Sequence, residues 1–251
     1  MKKIIITLLI ASTFIACDDT PTTGNVSKIT NYPIITVQGD AIVFVEQGTP
    51  FVDPGVVAME GSNEIPTTYT AVGKYRGGTT LDTNITDEYT LTYSATNVDG
   101  FTGSATRTVI VYKTGDLLTS IEGVYTSTVR RNGNLLPASQ GSSVNMKYIY
   151  IWKNTDGTYE VSDAFGGWYS IGRAIGGSAT PGGKIAGNIA TNTFTFPGNP
   201  LSNPYFGGVA NINSLTVDPV TKTLVLTTAW VAPGTPPTNY TFVSTLTQVQ
   251  L

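Results

Sequence analysis

The segment Tyr89-Thr90-Leu91-Thr92-Tyr93-Ser94-Ala95-Thr96 most narrows what this chain can fold into. Its residues alternate without a break, with Tyr89, Leu91, Tyr93 and Ala95 on one side of an extended chain and Thr90, Thr92, Ser94 and Thr96 on the other. A helix would scatter the two sets around its axis; a strand with one buried face keeps them apart. The same texture recurs. Thr takes 41 of the 251 positions, beside 27 Gly and 14 Pro, so extended runs are repeatedly cut by turn formers. Further candidate strands are 41–46, 56–58, 105–111, 124–130, 148–152, 158–161, 193–196, 214–217, 222–228 and 240–249. Residues 116–122 are the one candidate helix, of a turn or two. An all-β fold is expected.

The first twenty residues carry a different signal. Lys2 and Lys3 precede an apolar run from Ile4 to Ile15, too short for a permanent membrane helix and suited to a cleaved signal. Phe14-Ile15-Ala16-Cys17 resembles a bacterial lipobox, with Phe14 where Leu is usual. The resemblance implies cleavage before Cys17 and lipid on its thiol. The alternative is an ordinary secretory signal with an incidental cysteine. Asp18-Asp19 resembles the surface-export signals of Bacteroidetes lipoproteins, although in enterobacteria a following Asp retains a lipoprotein at the inner membrane. The expectation is a lipid-anchored outer-membrane protein facing the cell surface.

Composition removes several functions. Cleavage leaves 235 residues with a formal charge of −5, which speaks against nucleic acid as a partner. Cys17 is the sole cysteine, so both units must be stable by burial without disulfides. Histidine is absent, which rules out Ser-His-Asp and Cys-His sites and the usual His-bearing zinc sites. No cofactor is expected.

Organisation follows from texture. Residues 1–16 are the signal, 17–30 a polar tether, 31–113 a first β unit and 114–251 a second. In the first, Val45-Glu46-Gln47-Gly48-Thr49-Pro50-Phe51-Val52-Asp53-Pro54-Gly55-Val56-Val57-Ala58, the strand at 89–96, the Asp99-Gly100 turn and the closing run 107–111 together resemble the bacterial Ig-like domains of crystal toxins and surface proteins. The resemblance implies a β-sandwich acting as spacer or interaction module. Asp53 and Asp99 are candidates for Ca²⁺, against the commoner role of carboxylates in turns.

The second unit has longer strands, more aromatics and Gly-rich loops, with Asn154-Thr155-Asp156-Gly157 as a hairpin turn. An antiparallel sandwich or small barrel is expected. Tyr159-Glu160-Val161-Ser162-Asp163-Ala164-Phe165-Gly166-Gly167-Trp168-Tyr169, then Gly172-Arg173-Ala174-Ile175-Gly176, and Asp218 to Thr223 before a strand, resemble the C-terminal domain of Bacteroidetes surface lipoproteins from glycan-uptake loci. The resemblance implies an outer-membrane transporter, or its glycan-binding lipoprotein, as partner.

Candidate ligand residues come from the chemistry of sugar recognition, in which flat rings stack on C–H faces beside groups that bond hydroxyls. Trp168, Tyr169, Tyr205, Phe206 and Trp230, with Asp163 and Arg173 near in sequence, form the candidate carbohydrate site. The alternative places the rings in the core, and Trp152, inside a strand, is assigned there. Glu160 and Asp163 are the one candidate acid pair for glycoside hydrolysis, but three residues apart in a strand they face opposite ways. The Gly-rich runs at 166–167, 176–177 and 182–183 lack the setting of a phosphate loop and are assigned to turns. A non-enzymatic carbohydrate-binding lipoprotein is expected. The alternatives are an accessory subunit docking onto a transporter, or an adhesin.

Overall fold

The computed structural model describes residues 30–251. The signal, Cys17 and nearly all of the tether lie outside the described residues. The first unit is a sandwich. One sheet joins β1 (Ile34–Val37), β3 (Val56–Glu60) and β4 (Asn63–Ile65) in the order β1-β3-β4. The other joins β2 (Ile42–Glu46), β5 (Thr68–Gly73), β6 (Asp87–Thr96) and β7 (Thr102–Tyr112) in the order β2-β7-β6-β5, with β2 parallel to β7. The alternating segment is β6, and Tyr89, Leu91, Tyr93 and Ala95 are buried as its pattern requires. Tyr89, Leu91 and Tyr93 pack with Val45, Ala71, Val109 and Val111 in one core.

A buried charge sits in this sandwich. Arg107 is fully buried on β7, and its guanidinium donates to the Gln38 and Gly55 carbonyls and lies 3.5 Å from Asp53. Asp53 also accepts from the Tyr93 hydroxyl (2.6 Å) and the Gly55 N–H. Asp99 accepts from the Thr30 hydroxyl. Both carboxylates therefore hold loops together, and among the described residues no group of three or more His, Cys, Asp or Glu could hold a metal.

The second unit is one nine-stranded antiparallel sheet. Its strands are β8 (Gly123–Arg131), β9 (Met146–Lys153), β10 (Tyr159–Val161), β11 (Gly183–Asn188), β12 (Thr193–Thr195), β13 (Leu201–Asn203), β14 (Gly207–Asp218), β15 (Thr223–Ala232) and β16 (Thr238–Gln248). They follow the order β12-β11-β10-β9-β8-β16-β15-β14-β13, so the chain's last long strand lies beside the unit's first. Two asparagine side chains clasp the sheet where β13 leaves the edge of β14 unpaired. Asn199 accepts from the Ile212 N–H (3.0 Å) and donates to its carbonyl (2.8 Å); Asn192 does the same to Val217, at 2.7 and 3.0 Å. A primary amide reproduces the donor–acceptor pair of a strand neighbour, so Ile212 and Val217 are satisfied without another strand.

The curled sheet encloses residues 161–169, every one of them buried. Strand hydroxyls hold this plug, with Ser127 donating to the Gly166 carbonyl and Thr228 to the Ala164 carbonyl. Gly166 has φ +62°, and a Cβ there would lie 2.2 Å from the Ser244 hydroxyl, so only glycine fits. The plug ends in a π-helical turn, Trp168–Gly172. Residues 116–122 form no helix. Asp116 accepts from the backbone N–H groups of Leu118, Thr119 and Ser120, and this local bonding takes the place of helical turns.

The two units meet through one apolar cluster. Ile110 of the first unit packs with Val124, Tyr150 and Trp152 of the second, flanked by Phe44, Tyr75, Tyr112, Tyr148 and Val249. The Tyr150 hydroxyl donates to Glu88 at 2.7 Å. Trp152 is core in this sense, buried at the junction under Arg76.

Candidate functional site

The register of the second unit sorts its loops into two ends. At the linker end lie residues 116–122, the 154–157 hairpin and the 219–222 turn. At the far end lie the residues after Arg131, the start of the π-turn (Trp168 and Tyr169, against Arg131), the 204–206 loop and the Pro-rich 233–237 loop. Ser170, Ile171 and Ile175 instead line a cavity with Lys74 and Tyr75 of the first unit. Most of the candidate ligand residues gather at the far end, but burial divides them.

Trp168, Tyr169 and Trp230 are core residues, at 1%, 4% and 4% exposure. This corrects their place in the carbohydrate site, because a ring with both faces covered has none to offer a sugar. Phe165 stacks on Phe242 (4.4 Å), and Trp168, Tyr169 and Trp230 pack edge-on or tilted against Phe242. Trp230 spends its N–H on the Gly207 carbonyl. Asp163 is corrected likewise. It is fully enclosed and accepts from the Phe165 and Thr180 N–H groups and the Ser170 hydroxyl, which anchors the plug. Burial raises its pKa above the usual carboxylate value, against those hydrogen bonds. Glu160 lies in β10, bonded by Asn154, and is engaged apart from Asp163.

Tyr205, Phe206 and Arg173 remain accessible. Tyr205 is 60% exposed and meets Phe206 edge-on at 4.7 Å; Phe206 is half-buried against Tyr169. Arg173 is exposed, with its guanidinium carbon 5.9 Å from the centre of the Tyr169 ring. The sequence reading missed two neighbours. Half-buried Tyr240 stacks on Trp230 at 5.5 Å. Arg131 lies over both Tyr240 (4.7 Å) and Trp168 (5.1 Å) and donates to the Tyr169 hydroxyl at 2.9 Å. Burial raises the Tyr169 pKa, and Arg131 opposes the rise. The signal for Arg131 is parity: it continues the inward series Tyr125, Ser127, Val129. The far end is thus a shallow aromatic rim around Arg131, able to stack on a flat ligand and bond its oxygens.

An Ig-like sandwich packed against a plugged, curled β unit defines a two-unit, all-β protein. A family model described as a "-like, C-terminal domain" matches residues 114–248, and one described as "Bacterial surface protein, Ig-like domain" matches 35–111. The chain belongs to the family of that C-terminal domain and carries a bacterial surface Ig-like domain ahead of it. Among solved structures it is similar to the lipoprotein BT2262 from Bacteroides thetaiotaomicron, at 26% identity and a TM-score of 0.56, over 86% of this chain and 100% of that one. No curated protein matches it. These likenesses are to proteins of the bacterial cell envelope.

Proposed function

We propose that this protein is a lipoprotein of the outer membrane, anchored through Cys17 and exposed at the cell surface, which binds carbohydrate at the far end of its second unit. The likeness to a lipoprotein, the lipobox and Asp18-Asp19 support the anchor and its location. The observation that carries the binding role is the accessible rim of Tyr205, Phe206 and Tyr240 beside Arg131 and Arg173, at the end opposite the linker. The role is capture for uptake, without catalysis, in company with an outer-membrane transporter or its glycan-binding lipoprotein.

The test uses the mature chain with Cys17→Ala, which removes the acylation site, on an array of polysaccharides. Binding to one glycan class, weakened about three- to tenfold by Tyr205→Ala as loss of one stacking ring predicts, supports the reading. A folded protein silent across the array overturns it. A second reading, docking onto a transporter, is favoured by Val209 and Val231. These cross-strand partners are both exposed, at 49% and 43%, on the outer face next to the same rim. Co-purification with a membrane partner, lost in Val231→Lys, would favour it.

A further inference from the structure

Charge is divided unevenly in the second unit. Five of its six acids lie toward the linker end: Asp116, Glu122, Asp156, Glu160 and Asp218. The sixth, Asp163, is buried in the plug. All three of its arginines, Arg130, Arg131 and Arg173, lie at the far end. None of the three forms an ion pair among the described residues. Lysines at the linker end are instead engaged, Lys184 with Asp156 at 3.6 Å and Lys222 with the Asp116 carbonyl at 3.2 Å.

From this we infer that the far end takes an acidic polysaccharide and recognises its carboxylate or sulfate ester groups. The inference rests on the carbohydrate reading above and narrows the substrate class. Two arginines address one phenol: Arg131 donates to the Tyr169 hydroxyl, while Arg173 stands beside the same ring. Arg131 has a ring-packed guanidinium and spends one N–H on Tyr169; the remaining donors of that planar fork suit a two-oxygen anion. Arg130, on the opposite face of β8 from Arg131, is held by the Gly133 carbonyl and adds to the positive charge of this end from its outer side. The chain as a whole is acidic, with net charge −3 and a pI near 4.9, so its general field repels a polyanion. The cluster of Arg131 and Arg173, whose nearest acid in the unit, Asp163, is enclosed and hydrogen-bonded within the plug, reverses that field at one place. Tyr205 and Phe206 border the cluster and supply the contact for the sugar ring.

The test compares matched probes by calorimetry on the mature chain with Cys17→Ala. Polygalacturonate against its methyl-esterified form reads the carboxylate arm, and dextran sulfate against dextran reads the sulfate arm. Other acidic polysaccharides, each with a neutralised counterpart, complete the panel. The expected result is binding of an acidic member, about tenfold weaker for its neutral counterpart and falling as salt rises. Arg173→Ala, at an exposed position, is expected to lose about as much, and Arg130→Ala less. Lys222→Ala removes one charge at the linker end and is expected to leave affinity unchanged. Equal binding of acidic and neutral counterparts overturns the inference, as does binding confined to neutral glycans, and either result leaves the carbohydrate reading standing. Equal losses in Lys222→Ala and Arg173→Ala also overturn it, since attraction would then follow net charge alone. Silence of the acidic panel and the neutral array together removes both.

Discussion

The two ends of the second unit are built from opposite materials. At the linker end, Asp116, Asp156 and Asp218 each accept from N–H groups two to four residues ahead, so each carboxylate is engaged by its own turn, and Asp156 also pairs with Lys184. At the far end, arginines lie against rings and no acid answers them. A carboxylate that caps its own turn is a local device requiring nothing beyond a few residues of sequence. A guanidinium resting on rings from separate strands needs the whole sheet to curl first. One end is closed by its own chemistry, and the other keeps donors in reserve for something outside the chain.

The largest test of this contrast is Trp168→Ala. Trp168 is enclosed by Phe242 and covered by Arg131, and its removal is expected to cost about 3–5 kcal/mol, read from the denaturant midpoint. Tyr205→Ala, at an exposed position of the same end, is expected to stay within about 0.5 kcal/mol. A Trp168→Ala protein of unchanged stability would return that ring to the surface and undo the division between core and rim.

Asp163 sharpens the comparison, because it is the acid enclosed in the plug rather than spent on an exposed turn. Asp163→Ala strands the buried donors of Phe165, Thr180 and Ser170, at about 1–3 kcal/mol for a buried group left unsatisfied. Asp163→Asn keeps an acceptor oxygen for the two N–H groups, which share one carboxylate oxygen, and is expected to cost less. The sign of its pH dependence follows from burial, which raises the folded pKa above the ordinary 3.8. As pH rises past 3.8 the unfolded chain releases its proton first, so the natural protein loses stability that Asp163→Asn keeps. The difference should move in favour of Asp163→Asn as pH is raised from 3 toward neutrality, and a movement the other way would show a carboxylate stabilised by its site.

Arg131→Ala comes next. Losing two ring contacts at about 0.5–1 kcal/mol each should lower stability by about 1–2 kcal/mol, with Arg131→Lys keeping part of it. An equal loss in the lysine variant would assign the effect to the guanidinium bond with Tyr169.

How much of this was legible in the sequence depended on periodicity. The period-two run of β6 was readable because that strand has one buried face, and the β9–β10 hairpin because Asn154-Thr155-Asp156-Gly157 marks its turn, although β9 is buried on both faces over 149–152. Gly183–Asn188, assigned in part to a Gly-rich turn, pairs as β11 because Gly183 packs against Val161 and Ile212, where a side chain would not fit. The plug was opaque for a related reason: it is buried on every side, so it carries no alternation. The asparagine clasps look like turn residues until β14 is found with an unpaired edge. Of the ring and charged residues put forward from sequence, Tyr205, Phe206 and Arg173 are the ones left accessible. The sequence reading also took Trp168, Tyr169 and Trp230 for surface rings, since ring burial is decided by closure of the sheet.

The smallest effect discriminates most cleanly between the ends. The pKa of Asp116 is lowered chiefly by the Thr119 N–H, that of Asp156 by the Thr158 hydroxyl and that of Asp218 by Thr221. A carboxylate whose folded pKa is lowered contributes stability in full above the ordinary 3.8 and loses it as pH falls through the folded value. All three groups are exposed and sit in the linker-end turns, so acid should loosen those turns while leaving the far end untouched. Carboxyl titration by NMR should give these three aspartates midpoints below 3.8, with chemical-shift changes following them at Leu118, Thr158 and Val220 but not at Tyr205, Phe206 or Tyr240. Shifts at the far-end rings that track the same titration would mean that the ends are coupled through the sheet, and the division of labour between them would have to be withdrawn.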